Sequence, residues 1–355
     1  MSYLRRFFGS PHRRRRFTIF IVFVLNAIFL WCGGLDYFLS RPLSQFSWPP
    51  HGLGHNALSG EYYEESPSLE EITKATGVGL AKGVPQAICN SSDHSGLRIH
   101  VKSKYDEYEA RAAIRKTWGA DAKRAGAEVF FVVGLPLPED TFEWKSPLHM
   151  DDAETVSHVI RLHREADQQK DLVIGNFVDA YRNNTRKFVL SVAGAAGILP
   201  GCPPSEFSLF IDADYVVNVA RLLSQIRDAE LEVDLYKGWR FDSSPFRMTL
   251  SKHAVSYAQY PFDRYPPYIT AGAVLLSRET VEKFIHAIPQ AELYLMDDIY
   301  AGILAYLTGV QPVHDESYKF WTAAHSGDEW LQLTAAHGYP PQELLETYNR
   351  YFKRV

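Results

Sequence analysis

The chain predicts an α/β fold built on a mostly parallel, doubly wound sheet, and three observations carry that expectation. Four apolar, β-branched and aromatic runs (residues 97–101, 128–133, 172–174 and 207–211) alternate with stretches of helical periodicity. The last run leaves the sheet in two carboxylates, Asp212 and Asp214, at the strand end where open α/β sheets bind ligands. A composition of 46% apolar and 14% aromatic residues supplies a large core. Side chains alternate along a strand, so Asp212 and Asp214 project to the same side. Such a pair suits a hard divalent ion that can in turn hold a diphosphate. An Asp-x-Asp is as often no more than a strand turning into a loop, and on these residues alone both readings stand.

The N-terminus has a different character. Arg5, Arg6 and Arg13 to Arg16 precede residues 17–39, in which Asp36 is the only charge. At about 1.5 Å per residue this stretch would measure roughly 34 Å as a helix, enough to span a bilayer. The next basic residues are Arg41 and Lys74, so the positive-inside rule puts residues 1–16 in the cytosol as a basic tail. Residues 17–39 are then a signal-anchor transmembrane helix, and everything after them is lumenal. A cleaved signal peptide is the alternative, with Cys32-Gly33-Gly34 near a cleavage position.

Residues 40–92 read as a lumenal stem. Pro42, Pro49, Pro50, Pro67 and Pro85 are mixed with an acidic cluster (Glu61, Glu64, Glu65, Glu70, Glu71), and little there predicts a core. One short helix is expected at 69–75. Sequons at Asn90-Ser91-Ser92 and Asn183-Asn184-Thr185 agree with a lumenal face. Of three cysteines, Cys32 lies in the apolar span. Cys89 and Cys202 remain as a lumenal pair whose state the sequence leaves open. No zinc-ligand spacing occurs. A net charge of −5 without a basic, aromatic-interleaved stretch argues against a nucleic-acid partner.

The domain at 93–355 follows in order. After the strand at 97–101, residues 107–118 are helical, with Arg111 and Arg115 four apart on one face. The run at 128–133 ends at Gly134. A charged helix at 154–168 precedes the strand at 172–174, and a helix at 187–196 precedes the strand at 207–211. Beyond the carboxylates come a helix at 219–231, a strand at 235–239, a proline-aromatic loop at 260–268 and a strand at 271–276. Ser277 caps a helix at 278–288. Asp297 or Asp298 caps a helix at 299–307 that stops at Gly309. Residues 337–351 hold a last short helix.

Five of these stretches, in this order, resemble glycosyltransferase family 31, the Golgi β-1,3-glycosyltransferases. They are Arg111-Ala112-Ala113-Ile114-Arg115-Lys116-Thr117-Trp118-Gly119; Asp179-Ala180-Tyr181-Arg182-Asn183-Asn184-Thr185-Arg186-Lys187; Ile211 to Tyr215; Tyr265-Pro266-Pro267-Tyr268-Ile269-Thr270-Ala271-Gly272; and Met296-Asp297-Asp298-Ile299-Tyr300-Ala301-Gly302. Residues 260–277 and 297–314 are most similar to the brainiac-type branch, which adds GlcNAc in β-1,3 linkage to the mannose of mannosyl-glucosyl-ceramide. The chain departs from that branch at His253 and Tyr265, where tryptophan is usual, and at Ala273, where a larger residue is usual; these bear on donor and acceptor choice.

The resemblance implies a GT-A-type glycosyltransferase fold, Rossmann-like, behind the N-terminal anchor in the Golgi membrane. It implies inverting transfer of a hexose or N-acetylhexosamine from a UDP-sugar, with GlcNAc favoured, to a glycan acceptor on lipid or protein. Mn²⁺ or Mg²⁺ is expected on Asp214 with Asp212 and His337. Asp298 is the expected base, with Asp297 as its alternate. Arg111, Arg115, Lys187, Asp212 and Gly272 are candidates on the nucleotide side. Other readings stay open: galactose as the donor sugar, a non-catalytic lumenal relative serving as folding partner or scaffold, and association with itself or another chain in the Golgi. Asp298 is otherwise a helix cap, Arg111 and Arg115 a solvated face, Lys187 a surface lysine and His337 a structural histidine. Trp239, Tyr265 and Tyr268 either stack on sugars or pack under a loop.

Overall fold

In a computed structural model the described residues are 11–59, 65–89, 96–138, 152–229, 234–248, 251 and 253–353. Arg5, Arg6, Glu61, Glu64, the sequon at Asn90 and the end of the helix expected at 219–231 lie outside them. Two compact units are present, one of Leu53–Phe241 with Pro266–Val355, the other of Met1–Gly52 with Asp242–Tyr265.

The larger unit is built on a seven-stranded sheet. Its strands are β1 (Leu97–Lys102), β2 (Glu128–Leu135), β3 (Leu172–Val178), β4 (Phe207–Asp212), β6 (Tyr236–Phe241), β7 (Tyr268–Ser277) and β8 (Val313–His314), in the order β3-β2-β1-β4-β7-β6-β8. The first four run parallel, as the alternation with helices predicts. From β7 onward the sheet is mixed, because β7 pairs antiparallel with both β4 and β6. Every residue of β1 and β2 is buried. Leu97, Ile99 and Val101 share one core with Val129, Phe131 and Val133. Each such side chain contributes about 1.5–3 kcal/mol by leaving water. This central pair fixes where the strand ends, and therefore the ligand cleft, must lie.

A second, three-stranded sheet was not legible in the sequence. It consists of β5 (Tyr215–Val217), β9 (Tyr318–Lys319) and β10 (Ala335–His337), in the order β5-β10-β9. Strands of two or three residues show no periodicity to read. The last short helix expected within 337–351 forms directly behind the last of these strands. β10 ends at His337, and the helix Pro341–Tyr351 starts behind Pro340, with proline at its first turn.

Within the expected stem, the described residues 68–89 are not coreless. The helix Leu69–Thr76 forms with a reciprocal capping box between Ser68 and Glu71 and buries Ile72. Val78, Ala81 and Val84 are also buried. Backbone bonds from Ala81 to Ile174 and from Ala87 to Leu172 lay the following segment along β3. Cys89 and Cys202 are joined as a disulfide. At the second sequon, the Asn183 amide donates to Val178 O and the buried Thr185 hydroxyl to Tyr294 O. The folded protein therefore engages that site internally.

In the smaller unit the apolar N-terminal stretch is divided. A helix Pro11–Trp31 carries Arg13 to Arg16 in its first turns, and a second helix covers only Gly34–Leu39. Between them Gly33 has φ 75°, and a Cβ there would fall against Arg247 O, so glycine is required for the turn. The buried Arg247 guanidinium donates to the carbonyls of Val255, Tyr260 and Phe262 and to Ser40 Oγ. Phe46 and Trp48 pack on Tyr260. Among the described residues no helix is long and apolar enough to cross a membrane.

Candidate active site

β1 and β4 are paired in register to their last residues, so Lys102 and Asp212 leave the sheet side by side. Lys102 Nζ lies 3.0 Å from Asp212 Oδ1 and 2.5 Å from Asp297 Oδ2. The two acidic motifs, distant in sequence, thus converge on one buried ammonium. Burial pulls the Lys102 pKa down, but Asp212 and Asp297 outweigh it and hold the group above the ordinary lysine range. Asp212 is pushed up to about 6, first by burial and then by Asp297 and Asp214, against the pull of Lys102.

The acidic pair opens the helix Asp297–Thr308, whose cap position is Met296, with no side-chain capping bond. Neither aspartate is the cap that the sequence predicts, because the Asp297 carboxylate is drawn away to Lys102. Asp298 has no basic partner of this kind. Its Oδ1 accepts the Ile299 N–H at 2.8 Å, and burial, then Asp297, push its carboxyl up to about 7. A carboxylate near neutrality that no cation neutralises is the better of the two for taking a proton.

Asp214 occupies the turn between β4 and β5. Its carbonyl accepts the Gly338 and Tyr339 N–H groups, and its Oδ2 lies 3.0 Å from His337 Nε2. This hydrogen bond to Asp214 raises the His337 pKa. Antiparallel pairing of β5 with β10 sets His337 opposite Tyr215, bringing a residue near the end of the domain beside one from its middle. Asp214 Oδ1 and His337 Nδ1 are buried polar atoms without a hydrogen-bond partner. Such orphaned acceptors fit a ligand role. Among the described residues no group of three or more His, Cys, Asp or Glu side chains is arranged to hold an ion.

A cleft of about 630 Å³ opens at these strand ends, lined among others by Lys102, Arg161, Tyr181, Lys187, Asp212 and Asp214. Lys187 is buried, 2.6 Å from Asp179 Oδ1 and donating to Ser103 O at 2.7 Å. Asp179 Oδ2 in turn accepts the Tyr105 and Gly134 N–H groups. Tyr181 stands within the field of the acidic groups. Burial, followed by Asp298, Asp297 and Asp212, raises its phenol.

The remaining predicted residues stand elsewhere. Arg111 is fully buried and forks onto Glu165 at 2.9 and 2.7 Å while donating to Ser103 Oγ, Lys104 O and Tyr105 O. Arg115 pairs with Asp171 and Glu165. Arg111 is spent on Glu165 and the chain after β1, Arg115 on Glu165 and Asp171, and neither is a solvated face nor lines the cleft. Gly272 lies behind the site: a Cβ there would overlap the Tyr215 hydroxyl, so its absence lets that phenol in. Sequence reasoning missed Lys102, Arg161 and Tyr181. A lysine directly after the predicted strand at 97–101 was the available signal for the first.

With this geometry in hand, the comparisons with known proteins are concordant. A profile of the family described as galactosyltransferase matches residues 109–316. Beta-1,3-galactosyltransferase bre-5 of Caenorhabditis elegans is 30% identical over 344 residues, covering 96% of this chain and 95% of that protein. Beta-1,3-galactosyltransferase brn of Drosophila melanogaster is 32% identical over 349 residues, covering 96% and 97%. UDP-GlcNAc:betaGal beta-1,3-N-acetylglucosaminyltransferase 9 of Bos taurus is 32% identical over 211 residues, covering 58% and 51%.

Proposed function

The chain belongs to the galactosyltransferase family, glycosyltransferase family 31, and is a hexosyltransferase; from that premise we propose inverting β-1,3 transfer from a UDP-sugar to a glycan at the cleft lined by Asp212 and Asp214, with Asp298 as the base. The observation that carries this reading is the shared Lys102, which ties the strand-end carboxylate Asp212 to the acidic pair.

In the proposed reaction an acceptor hydroxyl oxygen bonds to the anomeric carbon as the bond to the UDP oxygen breaks. Asp298 takes the hydroxyl proton on its carboxylate. Lys102 and Lys187 line the cleft with their charge already met by Asp212, Asp297 and Asp179, so an anionic diphosphate would draw on Arg161 of the same lining. Asp214 and His337, with Asp212 beside them, are the residues that would hold Mn²⁺ or Mg²⁺. Two protein donors suffice for such an ion when substrate phosphates and water complete its shell. When bound, it would neutralise charge building on the departing diphosphate.

For the donor sugar we favour GlcNAc, on the likeness of residues 260–277 to the brainiac-type branch, with mannosyl-glucosyl lipid as acceptor. Galactose is the second reading, and the names of the worm and fly relatives favour it. The proposed setting is the Golgi lumen, with residues 17–39 as anchor. The arginine-flanked apolar stretch supports this, and extraction of the full chain from membranes by carbonate would refute it. The catalytic reading is tested by assaying UDP-GlcNAc and UDP-galactose with and without Mn²⁺, on mannosyl and GlcNAc-terminated acceptors. Turnover abolished by Asp214→Ala and Asp298→Ala in folded protein is expected. A wild-type chain that transfers no sugar in any combination would leave the non-catalytic alternative.

A further inference from the structure

Trp239, Phe241, Phe320 and Trp321 form a wall of rings that is not part of the core. Trp239 and Phe241 stand two apart on β6 and so project to the same side. Phe320 and Trp321 follow directly on β9. Trp239 meets Trp321 edge to face at 4.6 Å and Phe320 at 5.4 Å. Phe320 meets Trp321 at 5.0 Å and Phe241 at 4.9 Å. These separations and tilts are those that aromatic quadrupoles favour. None of the four rings is buried, and Trp321 is 38% exposed. Rings packed only to fill space would be covered; here three are partly open and Trp321 is exposed at the edge, as a binding surface would have them.

Both ends of the wall are tied through their neighbours to elements that carry the reaction site. On one side, β9 and β10 pair in parallel through Ala336 and Lys319, the residues that directly precede His337 and Phe320. Gly338 has φ 95°, and a Cβ on it would strike Thr322 Oγ1, which shows how closely the two segments pass. On the other side, Phe241 stacks on Tyr268 at 6.0 Å. Tyr268 Cβ lies against Gly302, in the helix whose first turn carries Asp297 and Asp298. The wall therefore bridges the Asp214–His337 side to the Asp298 side.

We propose that this wall is a subsite for the acceptor saccharide and that Trp321 stacks on the sugar next to the one being extended. The inference rests on the transferase reading above. A pyranose has an apolar C–H face that suits an indole and a rim of hydroxyls that needs donors. Lys319 Nζ, 5.3 and 5.0 Å from the Trp239 and Trp321 centroids, supplies such donors beside the rings. The extended sugar must place its hydroxyl at Asp298. Trp321 lies one ring beyond Phe320, which leaves the strand paired with the one that ends in His337, so the sugar it reaches is the following one.

The test compares methyl β-mannoside with a β-mannosyl-1,4-glucoside as acceptors for the wild type, Trp321→Ala and Trp321→Phe. Trp321→Ala is expected to raise KM for the disaccharide about three- to tenfold, as loss of one aromatic contact would. KM for the monosaccharide and for UDP-sugar should not move, and Trp321→Phe should restore the disaccharide preference. Titrating tryptophan fluorescence of the wild type with the disaccharide in the presence of UDP reads the same contact without turnover, should the alanine variant not fold. An unchanged disaccharide KM in active Trp321→Ala, or no fluorescence response, overturns the subsite while leaving the transferase intact. Absence of transfer by the wild type itself overturns the transferase reading, and the subsite with it.

Discussion

Lys102 and Asp297, 195 positions apart in the chain, form a 2.5 Å ion pair with both side chains nearly inaccessible to solvent. Because Lys102 also holds Asp212, this contact aligns the first strand, the carboxylate-bearing strand and the acidic helix at one point. Removing one carboxylate leaves Lys102 with Asp212 as its remaining partner, so the loss is that of a charged hydrogen bond, about 1.5–3 kcal/mol. Asp297→Asn should therefore lower unfolding free energy by that order, measured by urea denaturation. An unchanged midpoint would mean the pair does not hold the site together.

Asp298→Asn should behave differently from Asp297→Asn. It removes a proton acceptor and no ion pair, so kcat is expected to fall about 10²–10⁴-fold with near-wild-type stability. Equal loss of activity in the two variants, after correction for folded fraction, would count against Asp298 as the base.

The pH profile follows from the same residue. A base works when deprotonated, and Asp298 is pushed up to about 7 by burial and Asp297. Its active form is thus scarce below that pH and dominant above it. The ratio kcat/KM, which reports the free enzyme, should rise through about pH 7. A limb that sits near pH 4 instead would remove Asp298 from the role.

Arg111 separates a structural clamp from a nucleotide contact. With every donor engaged on Glu165 and the chain at 103–105, Arg111→Met should cost about 3–5 kcal/mol of stability. KM for UDP-sugar in the folded fraction should stay as in wild type. A stable variant with a raised donor KM would restore Arg111 to the nucleotide side.

The Cys89–Cys202 disulfide closes a loop spanning 113 positions. In the chain-entropy account a loop of this length contributes about 5 kcal/mol. Reduction, or Cys89→Ser with Cys202→Ser, should shift the urea midpoint accordingly without altering kcat. No shift would show that the packing of residues 80–88 along β3 suffices alone.

By itself the sequence determined the class of fold, the four parallel strands, the position of Asp212 and Asp214 at a strand end, and the family to which the chain belongs. These are local matters. Periodicity within a dozen residues reports which side chains leave water, and a strand end is marked where the apolar run stops. Tertiary structure alone decided partners. It gave Lys102 two carboxylates, spent Arg111 on Glu165 and Arg115 on Asp171, and drew Asp297 away from capping its helix. It also joined His337 to Asp214 through strands too short to show a pattern. An ion pair between residues far apart in the chain depends on which strand ends meet in the folded sheet, and no window of sequence contains both of its halves.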